Sequence, residues 1–243
     1  MASTEASRHF HNASKIHRLI PNDPKDWPEE WNTIFFKEYK RVPKISLPSE
    51  TTSFDLFGAI EKRKSSREFN RESLTMRELA ILLKYSCGQT IPLGNGVWRR
   101  AQPSGGARFP IEIYPIIFRS YHDNIPAGAY HYNVKEHCLE LLEKKEFNDN
   151  EIQSLFMYPY VKNASVAIVM SAIFWRMQNK YGERGYRNIL LEAGHIGQNI
   201  YLISEALGLK CCAQAGTIDE SLEKFLSLDG REESIVYGFA IGK

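Results

Sequence analysis

The chain has 243 residues, 43% of them hydrophobic and 25% charged, a balance that suits one globular domain with an appendage, or two small ones, and excludes a disordered or fibrous chain. A formal charge of +2 gives no general field for nucleic acid or an anionic membrane, so any anion must be held locally. The four cysteines, Cys87, Cys138, Cys211 and Cys212, contain no C-x-x-C pair and have no second His/Cys cluster beside them, which points to reduced thiols and away from a zinc centre.

The opening residues MASTEASRHFHNASKIH lack the apolar core of a signal peptide. The longest apolar run, Ala164 to Trp175, is interrupted by Ser165 and Ser171 and is too short to span a bilayer, so a cytoplasmic protein is expected. Residues 1–52 carry Pro21, Pro24, Pro28, Pro43 and Pro48, three histidines and little periodicity. They read as an extended arm wrapped over a body formed by residues 53–243, with Trp27, Trp31, Phe35 and Phe36 as its anchors.

From Ser53, Phe54, Phe57 and Ile60 fall at helical spacing, and the run ends where RKSSREF, residues 63–69, begins. Arg63, Lys64 and Arg67 supply three cations and Ser65 and Ser66 two hydroxyls, a set that suits a terminal phosphate. Charge spacing alone favours a solvated helix end whose cations complement the dipole. Thr75 and Glu78 form a T-x-x-E capping box before the apolar stripe Leu79, Leu82 and Leu83, with Gly88 as the stop.

In QPSGGARFP, Ser104 offers a donor, and Gly105 and Gly106 let backbone amides approach a planar or anionic ligand. An ordinary turn before a strand has the same appearance, and neither a P-loop nor a dinucleotide fingerprint is matched. Strands are expected at 110–118, in a hairpin of 129–132 with 138–142 around NVKEH, at 165–174 and at 234–242. KYGERGYR, residues 180–187, ends an irregular stretch and opens a long helix from Arg184 to Leu207. Its residues Ile189, Ala193, Ile196, Ile200, Ile203 and Leu207 form one stripe, Gly194 and Gly197 allow close approach, and Gly208 ends it. The adjacent Lys180 and Tyr181 can move a proton if the ammonium eases ionisation of the phenol, although a charged, solvated helix start has the same spacing. Asp219 is the expected N-cap of a short amphipathic helix in DESLEKFLSL. Strands before and after the major helices give an α+β fold with a mixed or mainly antiparallel sheet.

In their order and spacing, RKSSREF, the T-x-x-E helix, QPSGGARFPIEIYP, AYHYNVKEHCLELL, KYGERGYRNILLEAGHIGQN, the ALGL turn and the terminal FAIGK resemble the nitroreductase-like flavoproteins across residues 53–243. Within them the chain resembles the SagB-type dehydrogenases that include the azoline oxidases of thiazole and oxazole peptide biosynthesis. The resemblance implies the nitroreductase-like fold and FMN held at a homodimer interface built around the long helix. Arg63, Ser65 and Arg67, with Lys64 beside them, would contact the phosphate and ribityl chain, and Lys243 would add charge. Pro103, Ser104, Gly105 and Gly106 would line the flavin, and Ala215 and Gly216 would bring backbone against its ring.

Lys180 and Tyr181 correspond to the family's catalytic pair, with Tyr181 assigned the proton transfer and Lys180 its activation, the reverse assignment remaining open. The implied reaction is azoline oxidation, with oxygen regenerating the flavin. The alternatives are an NAD(P)H-dependent reductase of nitro, quinone or activated alkene substrates on the same fold, and a non-catalytic flavin-binding scaffold subunit. Arg108 departs from the family pattern and is expected to alter the flavin pocket or meet an acidic group. His195 is expected to be a packed histidine, and Cys211 and Cys212 inert thiols. A long extra domain for recognising a leader peptide is not expected within residues 1–243. Recognition of a peptide is therefore expected from residues 1–52 or from a partner such as a cyclodehydratase or synthetase.

Overall fold

A computed structural model describes residues 5–15, 27–121 and 125–243; Pro21 and Pro24 lie outside them. The helix expected after Ser53 is α3, Leu56–Lys62, capped by Asp55, whose carboxylate accepts from Gly58 N, and closed at Arg63. The expected capping box opens α4, Met76–Cys87: Thr75 Oγ1 accepts from Glu78 N at 3.1 Å, and Thr75 N donates to Glu78 Oε2 at 2.6 Å. Replacing Thr75 by Ala is expected to lower stability by about 1 kcal/mol, read as the midpoint of denaturant unfolding, because one orphan amide of the first turn loses its acceptor. Gly88 stops α4 with extended, not left-handed, backbone; a Cβ there would lie 2.7 Å from Lys84 O and 2.9 Å from Tyr132 Oη.

The central sheet is ordered β1-β6-β5-β4-β7-β9-β8, and every pairing in it is antiparallel. Its strands are β1 Lys44–Ser46, β4 Ile111–Ile117, β5 Gly128–Asn133, β6 Cys138–Lys144, β7 Val166–Ile173, β8 Lys210–Gln214 and β9 Glu233–Gly242. β4 is buried along its whole length. Ile111, Ile113 and Ile117 face one apolar cluster and Tyr114 and Ile116 the other, as the two-residue period requires. On the first side lie α4 and the long helix α7, Glu183–Ala206; on the second lie α5, Asp149–Gln153, and α8, Asp219–Leu226. Ile189, Ala193, Ile196 and Ile200 are buried as expected. Gly208, at φ 69°, ends α7 with the reciprocal bonds Gly208 N to Glu205 O and Leu209 N to Ser204 O.

Several local expectations change. The N-cap of α8 is Ile218, without a side-chain bond, and Asp219 stands inside the first turn, where it accepts from Thr217 Oγ1. Gly197 approaches the Phe239 ring, not another backbone, and Gly194 meets nothing within 4 Å. The arm is not wholly extended: α1 covers Glu5–Ala13, a stretch without proline, α2 covers Glu29–Asn32, and β1 pairs with β6 along the sheet edge. A separate hairpin, β2 Gln89–Gly94 with β3 Val97–Arg100, turns through Gly94, Asn95 and Gly96, all at positive φ.

The arm crosses a buried polar network. Glu140 accepts from Tyr39 N and His131, and His131 also meets Glu112, which pairs with Arg176 at 2.6 Å. Burial alone would lower the His131 pKa, but bonds to Glu112 and Glu140 outweigh it and hold the ring protonated above its ordinary range. Among the described residues no helix is long and apolar enough to cross a membrane.

Candidate active site

The glycine loop owes its shape to Ser104. Its hydroxyl accepts from Phe109 N at 2.8 Å and donates to Glu192 on α7, closing a loop in which Gly106, Ala107 and Phe109 all have positive φ (61°, 53° and 46°). Only Gly106 escapes the steric cost of that conformation, and there is no room for more: a Cβ there would lie 2.5 Å from Tyr181 Oη and 3.5 Å from Lys180 Nζ. QPSGG and KY, about 75 residues apart in the chain, thus meet face to face. Pro103, Ser104, Gly105, Tyr181, Leu191 and Glu192 line one open cavity.

Lys180 and Tyr181 do not open the long helix. They are the last two residues of α6, Phe174–Tyr181, and Gly182, at φ 53° and ψ −140°, breaks the chain before α7. FWRMQNKY lacks a capping residue at its start, which is why it reads as irregular. The Lys180 ammonium lies 3.4 Å from the centroid of the Trp27 ring and makes no hydrogen bond to Tyr181 among the described residues. Burial, and secondarily the Arg108 charge, lower its pKa.

Among the described residues Arg108 meets no acidic group; it donates to the carbonyls of Arg176, Trp31 and Glu30. His195 is exposed at the rim of the cavity and is not a packed histidine. Cys211 is buried, and burial pushes its thiol up to about 12, as suits an inert group.

RKSSREF runs beside β8 and the end of β9. Ser66 N bonds Cys211 O and Asn70 N bonds Lys243 O, both at 2.9 Å. Tyr201 on α7 is the hub: its hydroxyl lies 2.8 Å from Ser65 Oγ and accepts from Ala213 N at 2.9 Å, while the Arg63 guanidinium lies over its ring at 5.1 Å. Arg67 stands 5.9 Å from the Tyr160 ring centroid, and Lys64 is exposed. The Lys243 ammonium turns to Glu78 at 3.5 Å. Ala215 is exposed, whereas Gly216 is buried against Tyr158, 2.8 Å from where its Cβ would stand.

The septet and the glycine loop are therefore separate groups on α7, one at Tyr201 and one at Glu192, about 14 Å apart along the axis. Among the described residues no cluster of three His, Cys, Asp or Glu side chains is placed to hold a metal ion.

Glu192 is the residue that motif reading passes over. It stands three residues after Ile189 and four before Ile196, so the buried stripe itself places it inward, where an acid needs a reason. Its carboxylate receives Ser104 and, at 3.3 Å, Gln102 Nε2, yet burial pushes its pKa up to about 7 against those bonds and the Arg100 and Arg176 charges. A raised carboxyl pKa means that folding favours the protonated form. Stability linked to Glu192 is full below the ordinary carboxylate range, falls as pH rises towards about 7, and stays lost above it. Glu192→Gln is therefore expected to raise the melting temperature at pH 8 and to leave it nearly unchanged at pH 4.5.

The family model described as the Nitroreductase family matches residues 60–243. The trifolitoxin-processing protein TfxB of Rhizobium leguminosarum bv. trifolii is 30% identical over 223 residues, 85% of this chain and 58% of TfxB. The microcin B17-processing protein McbC of Escherichia coli is 30% identical over 198 residues, 72% of this chain and 69% of McbC. The E. coli microcin synthetase McbBCD complex with truncated pro-MccB17 bound shares the fold, with a TM-score of 0.62 and 24% identity over 98% of this chain and 91% of that one. The chain belongs to the nitroreductase family, and its likeness to TfxB and McbC places it in the SagB-type branch that the sequence resembles.

Proposed function

We propose that the protein is an FMN-dependent dehydrogenase that oxidises azoline rings, thiazoline to thiazole or oxazoline to oxazole, on a peptide or carrier-bound intermediate. The observation that carries this reading is the convergence of Lys180 and Tyr181 on Gly106, which sets a proton-transfer pair against a loop stripped of side chains. The likeness to two peptide-processing proteins supports the substrate class.

The residues fit FMN. Arg63, Lys64 and Arg67 carry three positive charges, and among the described residues none of them has a carboxylate partner. With Ser65 they form a donor set that suits a phosphate dianion. Bound FMN supplies the acceptor for the hydride. The chain would supply the rest: Tyr181 Oη receives the ring proton as its own proton passes to Lys180 Nζ, and the Gly105–Gly106 backbone leaves space for a planar group. The substrate loses one proton and one hydride, and aromatisation drives the step.

Two copies are proposed to share the flavin site, because one copy keeps the septet and the glycine loop at separate places on α7. Exposed apolar side chains on both helices support the contact: Phe57 on α3 is 78% exposed and Leu191 on α7 61%. A synthetase-like partner, as in the McbBCD complex, is proposed to deliver the peptide in the cytoplasm.

The test is the absorbance spectrum of the purified protein, followed by anaerobic mixing with a thiazoline peptide and separately with NADPH. A flavin spectrum bleached by the thiazoline peptide supports the reading. Rapid bleaching by NADPH alone, with turnover of a nitroaromatic, replaces it with a reductase, and a protein that binds no FMN ends it.

A further inference from the structure

Arg108 follows the glycine loop and is 1% exposed, yet among the described residues it has no carboxylate partner. A buried guanidinium is costly unless its donors are met, and here all its partners are carbonyls. Nε donates to Arg176 O at 3.0 Å, Nη1 to Trp31 O at 2.7 Å, and Nη2 to Glu30 O. The last two carbonyls belong to α2, a four-residue helix without a side-chain cap, whose final carbonyls have no partner of their own. A planar fork with five donors can tie two chain segments together in this way; an ammonium cannot.

The tie has a consequence at Lys180. Trp31, which bears one of the bonded carbonyls, meets Trp27 edge to face at 6.1 Å, and Phe35 packs on Trp175 at 5.0 Å, so the segment touches α6 both at its start, Trp175, and at its end, Lys180. The Lys180 ammonium rests on the Trp27 face at 3.4 Å and stands 5.6 Å from the Trp31 ring. The Trp27 indole N–H is buried without an acceptor among the described residues, so the indole is placed there for its face, not for its donor. Lys180 itself has no carboxylate partner among the described residues. Its contacts include the rings of the segment whose carbonyls Arg108 binds.

We propose that Arg108 is a positioning residue: by binding the Glu30 and Trp31 carbonyls it seats Trp27 over Lys180 and fixes where that ammonium stands. The consequence for catalysis rests on the reading of Lys180 as one of the reacting pair; the geometry does not. Burial under the tryptophan, with the Arg108 charge nearby, also lowers the Lys180 pKa, the direction that makes it a readier proton acceptor.

The test is residue-resolved acetylation of the intact purified protein across a range of pH, which separates the pKa of Lys180 from the rate constant of its neutral amine; that rate constant, the Lys180 rate, is compared with the one at the exposed Lys224 on α8. Arg108→Lys keeps the charge but loses the fork. It is expected to raise the Lys180 rate about fivefold or more, the factor that loss of a covering cation–π contact allows, with Lys224 unchanged. Trp27→Ala, which leaves the Arg108 bonds in place, is expected to do the same and decides the matter if Arg108→Lys does not fold. An unchanged Lys180 rate in folded Arg108→Lys overturns the proposal, as does an unchanged rate in Trp27→Ala. Labelling needs no substrate, so failure of the azoline reading leaves this result standing, and the reverse holds too.

Discussion

Tyr181→Phe is expected to lower turnover of an oxidisable azoline peptide by about 10²- to 10⁴-fold, the range for a lost general acid–base group, with the flavin still bound. The substitution removes a single oxygen. Among the described residues the Tyr181 hydroxyl makes no hydrogen bond, so no buried partner is orphaned, and the ring still packs beside the glycine loop. Stability and cofactor content should therefore stay at parent values while kcat falls. Lys180→Ala removes the amine that lies over the Trp27 ring, and its effect should appear first in the pH profile, because a lowered lysine pKa is what lets the pair act near neutral pH. If Tyr181→Phe keeps more than half of the parent turnover, the proton leaves by another route. Glu192, in the same cavity and pushed up to about 7, would then be the first group to examine.

The features readable in the sequence are those decided by a few neighbouring residues. The Thr75–Glu78 box, the buried stripe from Ile189 to Ile200 and the Gly208 stop all arise within one or two turns of their own helix. The hairpin of β5 and β6 and the fully buried β4 were likewise legible, β4 because it is apolar but for Glu112 and covered on both faces, the hairpin because the turn residues NVKEH separate two short runs rich in apolar residues. Gly94-Asn95-Gly96 also carried a hairpin signal, but β2 and β3 expose Ile91, Leu93 and Trp98, and an apolar pattern without a covered face gives no alternation to read.

The rest depends on partners far away in the chain. Nothing near Arg108 announces that its fork will find carbonyls at residues 30 and 31, and nothing in FWRMQNKY says that the chain turns at Gly182 so that Tyr181 meets Gly106. Glu192 was detectable in principle, as an acid on an apolar stripe, but its reason is Ser104, which lies 88 positions earlier.

Removing Arg63 and Arg67 together is expected to weaken FMN binding by about 10²-fold or more, because each takes away a charge-assisted contact to phosphate, while binding of riboflavin changes by less than about threefold. The comparison isolates the phosphate, since riboflavin shares the ring and the ribityl chain and lacks only that group. Flavin-fluorescence titration of the apoprotein measures both. The two arginines lie beside tyrosine rings, Arg63 at Tyr201 and Arg67 at Tyr160, and neither has an acidic partner among the described residues, so their loss should not break a salt bridge that supports the fold. FMN affinity should also fall with added salt in the parent and lose most of that dependence in the double variant. Equal weakening of FMN and riboflavin would mean that the septet shapes the pocket without holding phosphate. Unchanged affinity for both would move the phosphate elsewhere. Ser65 then serves only Tyr201, which already binds Ala213 N, and the cluster reverts to the solvated helix end that charge spacing alone allows.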